Sequence, residues 1–199
     1  MPEISMNDLA FDLDAMLAQA RQMRPRLIGF CGLAGSGKSW AATHLASSWG
    51  YSRVRFAGPL KDMMRALGLN EAEIEGDRKE SPCDLLGGRT PRQAMQTLGT
   101  EWGREQIDPE LWVRAWERAA AKYLDNDLPV VVDDVRYLNE AAAIWRRGGT
   151  LVRIDRAGAG SASGASHASE SGGLPWNLQI MCFGTGMREI LPKDSRTAL

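Results

Sequence analysis

Apolar positions along this chain follow two different periods. Leu9, Leu13, Met16, Leu17 and Ala20 fall on one face at helical spacing, which predicts a helix capped by Asn7 or Asp8, running to about Met23 and ended by Pro25. Leu27-Ile28-Gly29-Phe30-Cys31 is a continuous apolar run of strand length. A helix over Ser39–Ser48 follows, then a short strand at Arg53-Val54-Arg55-Phe56. Pro59 suits the first turn of a helix over Leu60–Leu67, closed by Gly68. Residues 76–90 are polar and rich in turn formers, and read as a mobile surface segment. Thr90-Pro91-Arg92-Gln93 combines a cap, a first-turn proline and a capping box, and opens a helix to about Gln106. Pro109–Leu124 is helical, with Leu111, Trp112, Ala115, Trp116 and Ala119 on a wide apolar face. Leu128–Arg136 contains a β-branched run of central-strand type, Asn139–Arg147 is helical, and Thr150–Asp155 is the next strand. Residues 157–173 are rich in Gly, Ser and Ala and read as a flexible lid. A strand over Gln179–Phe183 and a helix over Met187–Leu191 finish the chain. Strands that alternate with helices predict an α/β fold, a parallel sheet covered by helices on both faces.

Between the first strand and its helix stands Gly32-Leu33-Ala34-Gly35-Ser36-Gly37-Lys38-Ser39, which satisfies G-x-x-x-x-G-K-[ST]. The glycines permit a tight turn whose N–H groups point inward around a phosphate, and the helix adds the positive end of its dipole. Lys38 is placed to reach the β- and γ-phosphates and Ser39 to ligate Mg²⁺. The donor contacts expected are Gly32, Ala34, Gly35, Ser36, Gly37, Lys38, Ser39 and Trp40. A dinucleotide loop would need a third glycine, where Lys38-Ser39-Trp40 stands instead.

A P-loop protein also needs an acid at the end of a neighbouring strand. Asp133 and Asp134 end the Val130-Val131-Val132 run, and strand alternation points them to opposite sides. Either could hold the metal, and the other would then stabilise the turn. Arg89, Arg92, Arg136, Arg153 and Arg156 all fall at element ends on the same edge of the sheet, with Lys61 and Arg65 one helical turn apart nearby. Several cations beside one P-loop suit a second ligand that is itself a phosphate ester.

Composition narrows the classes. The 199 residues predict one α/β domain, and 24 Lys and Arg against 25 Asp and Glu give no bulk electrostatic case for nucleic acid or an anionic membrane. Three widely spaced cysteines are neither a disulfide framework nor a zinc site and suit a reducing cytoplasm. With no signal core and no run long enough to span a bilayer, the sequence predicts a soluble cytoplasmic protein. A homodimer through an apolar helix face is a further expectation.

Several stretches together resemble the deoxynucleoside monophosphate kinases of tailed bacteriophages. They are Gly29 to Ser39, Phe56-Ala57-Gly58-Pro59-Leu60-Lys61, Gly88-Arg89-Thr90-Pro91-Arg92 with Gln96 to Arg104, Asp133-Asp134-Val135-Arg136 with Asn139-Glu140-Ala141, and His167-Ala168-Ser169-Glu170. The resemblance covers residues 27–170. It implies a single P-loop kinase domain with a core (25–58 and 128–156), a helical acceptor region (59–125) and a lid (156–175). It implies ATP and Mg²⁺, with transfer to a deoxynucleoside monophosphate, in the host cytoplasm if phage-encoded. The resemblance implies acceptor contacts at Lys61, Thr90 and Arg92, with Arg136 between the two phosphates; together with the cation pattern the acceptor candidates are Lys61, Arg65, Arg89, Thr90, Arg92, Gln96, Arg136 and Glu140. The implied catalytic set is Lys38, Arg92, Asp134, Arg136 and Arg156, with Arg153 and Arg156 on the lid side. Metal would lie at Ser39 with Asp133 or Asp134. Gly58 stands where an acid is expected before Pro59, and Met181–Thr185 departs from the Asn-Asp-Gly-Thr type of segment expected there.

Other readings are weaker. A P-loop kinase of another phosphorylated acceptor, such as dephospho-coenzyme A, shares the loop. A GTPase switch has Asp155-Arg156-Ala157-Gly158 as a D-x-x-G match but no N-K-x-D motif. A nucleic-acid-dependent ATPase lacks the basic surface. His167 has no second histidine or nucleophile elbow beside it and reads as structural.

Overall fold

The computed structural model describes residues 24–155 and the backbone of residues 181–184. The expected first helix, Arg156, the 157–173 segment, His167 and the 187–191 helix lie outside the described residues. Strands β1 (Leu27–Cys31), β2 (Ser52–Arg53), β3 (Val130–Val132), β4 (Thr150–Asp155) and β5 (Met181–Gly184) form one sheet in the order β2-β3-β1-β4-β5. Every pairing is parallel. Leu27 is opposite Val130 and Gly29 opposite Val132, while Cys31 is opposite Arg153 on the other side. The strand order reverses at β1, and such a switch point opens a crevice at the carboxyl edge. The residues that follow β1 and β3 therefore meet there.

Helices α1 (Lys38–Trp49), α2 (Gly58–Ala66), α3 (Glu71–Ile74), α4 (Pro91–Thr97), α5 (Leu111–Leu124) and α6 (Leu138–Arg146) complete the described elements with shorter turns. Val130 and Val132 pack with Val113 and Trp116 of α5 and Ile144 of α6. Val131 and Phe30 pack on the opposite face with Ala42 of α1. Burial on both faces explains why the strands are continuous apolar runs rather than alternating ones. A third cluster, Leu60, Met64, Leu69, Ile74, Met95 and Trp112, holds the helices between β2 and β3 together. Among the described residues no helix is long and apolar enough to cross a membrane.

Three local expectations need correction. The second strand stops at Arg53 rather than Phe56. Val54 still donates to the Val131 carbonyl at 3.0 Å, but the Phe56 and Ala57 amides turn to the Asp134 carboxylate at 3.0 and 2.9 Å and lead into α2. The 76–90 segment is structured: 3-10 turns occupy Asp77–Glu80 and Asp84–Leu86, and Cys83 is buried against Glu73. The helix from Thr90 has its capping box, with Gln93 N–H donating to Thr90 Oγ1 at 3.2 Å and Thr90 N–H to Gln93 Oε1 at 3.1 Å. Beyond Thr97, however, it widens into a π-helix over Leu98–Ile107. Tertiary contact accounts for the widening. The Trp112 indole donates to the Gly99 carbonyl at 2.7 Å, and Gly103 lies so close to that indole that a Cβ would sit 2.6 Å from it. Such wide turns are rare and frequently found at functional sites.

Candidate active site

After Cys31 the chain turns through Gly32, Gly35 and Gly37, with φ of 132°, 78° and 106°. These left-handed conformations strongly favour glycine. At Gly32 a Cβ would also lie 2.3 Å from the Ile154 carbonyl, so the loop is pressed against β4. Lys38 Nζ donates to the carbonyls of Gly32 at 2.8 Å and Leu33 at 2.6 Å, lying back along the loop. Burial lowers its pKa from the usual lysine range, and the Arg136 charge lowers it further. Ser36 is buried within the turn, and Trp40 is 74% exposed and stacked on His44.

The Ser39 hydroxyl donates to Asp133 Oδ2 at 2.7 Å, joining the P-loop helix to the end of β3. Arg53 grips the same carboxylate with both arms of its guanidinium, Nε on Oδ1 at 3.0 Å and Nη2 on Oδ2. These bonds hold the Asp133 carboxyl below its usual pKa although burial opposes them. Asp134 points the other way. Its oxygens take the Phe56 and Ala57 amides, and burial, with the Asp133 charge beside it, pushes its pKa up. Among the described residues no three His, Cys, Asp or Glu side chains cluster as a metal cage. A hydroxyl paired with one carboxylate fits Mg²⁺, which takes its remaining ligands from phosphates and water.

A cavity opens beside this edge, under α2, α4, the π-helix and the start of α6. Phe56, Leu60, Met95 and Trp112 form its apolar wall. Lys61, Lys79, Arg92 and Arg136 form a cationic end. Burial lowers the Lys79 pKa, and Lys61, Arg92 and Arg136 lower it further by repulsion. Among the described residues the Lys79 ammonium has no hydrogen-bond or ion-pair partner. Four cations converging on one half-buried point favour an anion of more than one charge there. Lys61 is engaged at 2.7 Å by Glu75, and Arg92 by Glu80.

Glu140 lies at the floor of this cavity and is almost wholly buried. It accepts the amides of Arg136 at 2.7 Å and Tyr137 at 3.0 Å, and Arg104 Nη2 at 2.5 Å. Burial pushes its pKa up to about 7, with the Asp134 charge adding to the rise. Arg104 in turn stacks on the Tyr137 ring, 3.8 Å from its centroid. Gln96, Thr100 and Arg104 reach the cavity at intervals of four residues, which the wide π turn accommodates on one face.

The family model described as "Deoxynucleotide monophosphate kinase" matches residues 89–192. A protein of Acanthamoeba polyphaga mimivirus, described as "Putative deoxynucleotide monophosphate kinase", is 38% identical over 157 residues, 72% of this chain and 80% of its own. The chain belongs to the deoxynucleotide monophosphate kinase family. It is a phosphotransferase whose activity is the phosphorylation of deoxynucleotide monophosphates. The relative is viral, from a mimivirus rather than a bacteriophage.

The structure of this kinase sorts the sequence-derived candidates. Lys61, Arg92, Gln96, Asp134, Arg136 and Glu140 line the cavity. Arg65 does not. It lies one turn beyond Lys61 along α2, and its guanidinium is taken by Glu71 at 2.5 Å and Asp62 at 2.8 Å. Thr90 spends its hydroxyl on capping α4, and neither it nor Arg89 lines the cavity. Arg153 is buried in β4 with its Nε on Asp155 at 3.1 Å. Asp134 has its carboxylate on backbone amides rather than on Ser39. Lys79, Thr100, Arg104 and Tyr137 were missing from the candidate set. Lys79 sits in the segment read as a loop, and Thr100 and Arg104, both within the Gln96 to Arg104 stretch of the resemblance, reach the cavity through the π-helix. Of the tryptophans on the apolar face of α5, Trp116 is fully buried with its indole on the Val54 carbonyl, while Trp112 lines the cavity.

Proposed function

We propose that this kinase transfers the γ-phosphoryl group of ATP, with Mg²⁺, to the 5′-phosphate of deoxynucleoside monophosphates, giving diphosphates. The observation that carries the reading is the junction at Asp133 and Asp134. One residue is bonded to the P-loop serine, the next lines the cationic cavity, and so the two sites are a single peptide step apart. Two anionic ligands are thereby brought end to end.

The P-loop amides and Lys38 hold the triphosphate, and Lys38 leaves the Gly32 and Leu33 carbonyls for phosphate oxygens. Ser39 and Asp133 hold the metal side, where Mg²⁺ when bound offsets charge on the β- and γ-oxygens. Lys61, Lys79, Arg92 and Arg136 hold the acceptor phosphate, with Phe56, Leu60, Met95 and Trp112 against its nucleoside. An acceptor oxygen forms a bond to the γ-phosphorus as the bond to the β-bridging oxygen breaks, and the electron pair leaves with ADP. The acceptor oxygen is already anionic, so no general base is needed. Arg136 lies between the two phosphates, close enough for its charge to be felt at Lys38. Asp134 positions the start of α2, and hence Lys61, through the Phe56 and Ala57 amides. Residues 25–58 and 128–156 act as core, 59–125 as the acceptor region, and 156–175, with Arg156, as the lid that excludes water.

The test is a transfer assay with ATP and Mg²⁺ over the deoxynucleoside and ribonucleoside monophosphates and dephospho-coenzyme A. Diphosphate formation from at least one deoxynucleoside monophosphate is expected. Transfer to dephospho-coenzyme A alone, or selective use of GTP with no acceptor, would overturn the reading.

A further inference from the structure

One guanidinium stands between the two halves of the site. Arg55, just past β2, places Nη1 2.6 Å from Glu75 Oε1 and Nε 3.7 Å from Asp133 Oδ1. Glu75 Oε1 also receives Lys61 Nζ at 2.7 Å, and Asp133 also receives the Ser39 hydroxyl at 2.7 Å. An unbroken run of charged and polar contacts therefore leads from the P-loop serine through Asp133, Arg55 and Glu75 to Lys61. Its members are mostly shielded, with side-chain exposures of 3% for Asp133, 26% for Arg55, 31% for Glu75 and 13% for Lys61. At such exposures, charge interactions are stronger than between fully solvated groups.

Resting on the assignment of Ser39 and Asp133 to the donor side and Lys61 to the acceptor phosphate, we infer that Arg55 couples the two substrate sites, so that bound metal–triphosphate tightens binding of the monophosphate and the reverse. Arg55 is divided between two carboxylates. Positive charge arriving at Asp133 weakens its claim on Arg55, which then pairs fully with Glu75. Glu75 is thereby neutralised from the Arg55 side and holds Lys61 less firmly. Lys61 is released to the acceptor phosphate. The same steps run in reverse when the acceptor binds first, as linkage requires. Arg53 grips Asp133 and feels the Glu75 charge, but among the described residues it has no hydrogen bond or ion pair to Glu75, so the direct contact to both carboxylates is made by Arg55. Arginine suits the role because its planar fork can serve two acceptors at once, which a lysine ammonium on one carboxylate does less well.

The experiment is calorimetric titration of the full chain with a deoxynucleoside monophosphate that it phosphorylates, with and without Mg²⁺ and a non-hydrolysable ATP analogue. The readout is the ratio of the two dissociation constants. Wild type is expected to show roughly fivefold tightening or more, within the usual range of coupling between sites. Arg55→Met is expected to bring the ratio to within about twofold of one, with each binary affinity kept within a few-fold. Glu75→Gln is expected to tighten acceptor binding without donor and to remove the donor's further effect. The double variant should lose no more coupling than either single one. Arg55→Lys serves as a second variant should Arg55→Met fold poorly, and it too should lose most of the ratio. A wild-type ratio of one, or a ratio retained in Arg55→Met or Arg55→Lys, overturns the coupling while leaving the transfer activity in place. Absence of transfer by the wild-type chain would instead remove the functional reading, and this inference with it.

Discussion

The proposed donor and acceptor ends of this site are built on opposite plans. The donor end is one uninterrupted stretch, Gly32 to Ser39, in which main-chain groups are aimed by three left-handed glycines. The acceptor end is gathered from segments far apart in the chain: Phe56–Lys61, Lys79, Arg92–Arg104, Trp112 and Asp134–Glu140. At the donor end, backbone geometry does the work and side chains are few. At the acceptor end, side-chain charge does it, and almost every cation is either held by a carboxylate or repelled by its neighbours. A backbone site must be written locally, because consecutive residues supply its donors. A side-chain site can be assembled from any residues that the fold brings together.

The contrast can be tested from its largest expected effect downward. Lys38→Ala should reduce turnover by about 1000-fold with the fold intact, since Lys38 is the charged side chain of the Gly32–Ser39 loop proposed to hold the triphosphate. Turnover assays with circular dichroism check this, and retained activity would show that the main-chain amides suffice alone. Next comes Glu140, which carries the frame of the acceptor end. Its folded-state pKa of about 7 lies above its ordinary 4.5. Between those values the native protein keeps a proton that the unfolded chain has released, so stability falls as pH rises through the window and levels off above it. A rise of that size corresponds to roughly 3 kcal/mol. Urea unfolding across pH 4.5 to 7 should show the slope in wild type and lose that part of it in Glu140→Gln. No change in slope would mean that Glu140 stays charged on its Arg104 partner.

Lys79→Ala should raise the acceptor KM roughly tenfold and leave the KM for ATP near its wild-type value, as expected for loss of one charged contact to a phosphate. Equal effects on both would place Lys79 at the junction rather than at the acceptor end. The smallest effect is expected at Arg65. Its ion pairs with Glu71 and Asp62 are on the surface, so Arg65→Ala should change kcat/KM by less than about twofold. A large loss would return Arg65 to the acceptor site.

Much of this architecture was legible in the chain. The limits of β1 and β4, the P-loop, the Thr90 cap and the helix expected over Pro109–Leu124 and found over Leu111–Leu124 follow from local patterns of period, glycine and capping residues. The failures share one cause. Phe56 has strand character, yet Asp134, far along the chain, claims its amide. Gly99 to Arg104 reads as ordinary helix, yet the Trp112 indole pulls the Gly99 carbonyl into a wider turn. Residues 76–82 look like loop, yet Lys79 faces Lys61, Arg92 and Arg136 across the cavity. The resemblance to phage kinases drew attention to Arg92, Arg136 and Glu140, whereas the spacing of cations drew in Arg65, one turn beyond Lys61, whose guanidinium Glu71 and Asp62 take.

The sequence by itself determined the fold class and the glycine-rich loop from Gly32 to Ser39, because hydrophobic period and glycine placement act between near neighbours. Only the tertiary structure decided which acid meets Ser39, which cations share the cavity, and that Arg55 lies between Glu75 and Asp133. Electrostatic interaction depends on distance through space, and distance through space is a property of the folded chain.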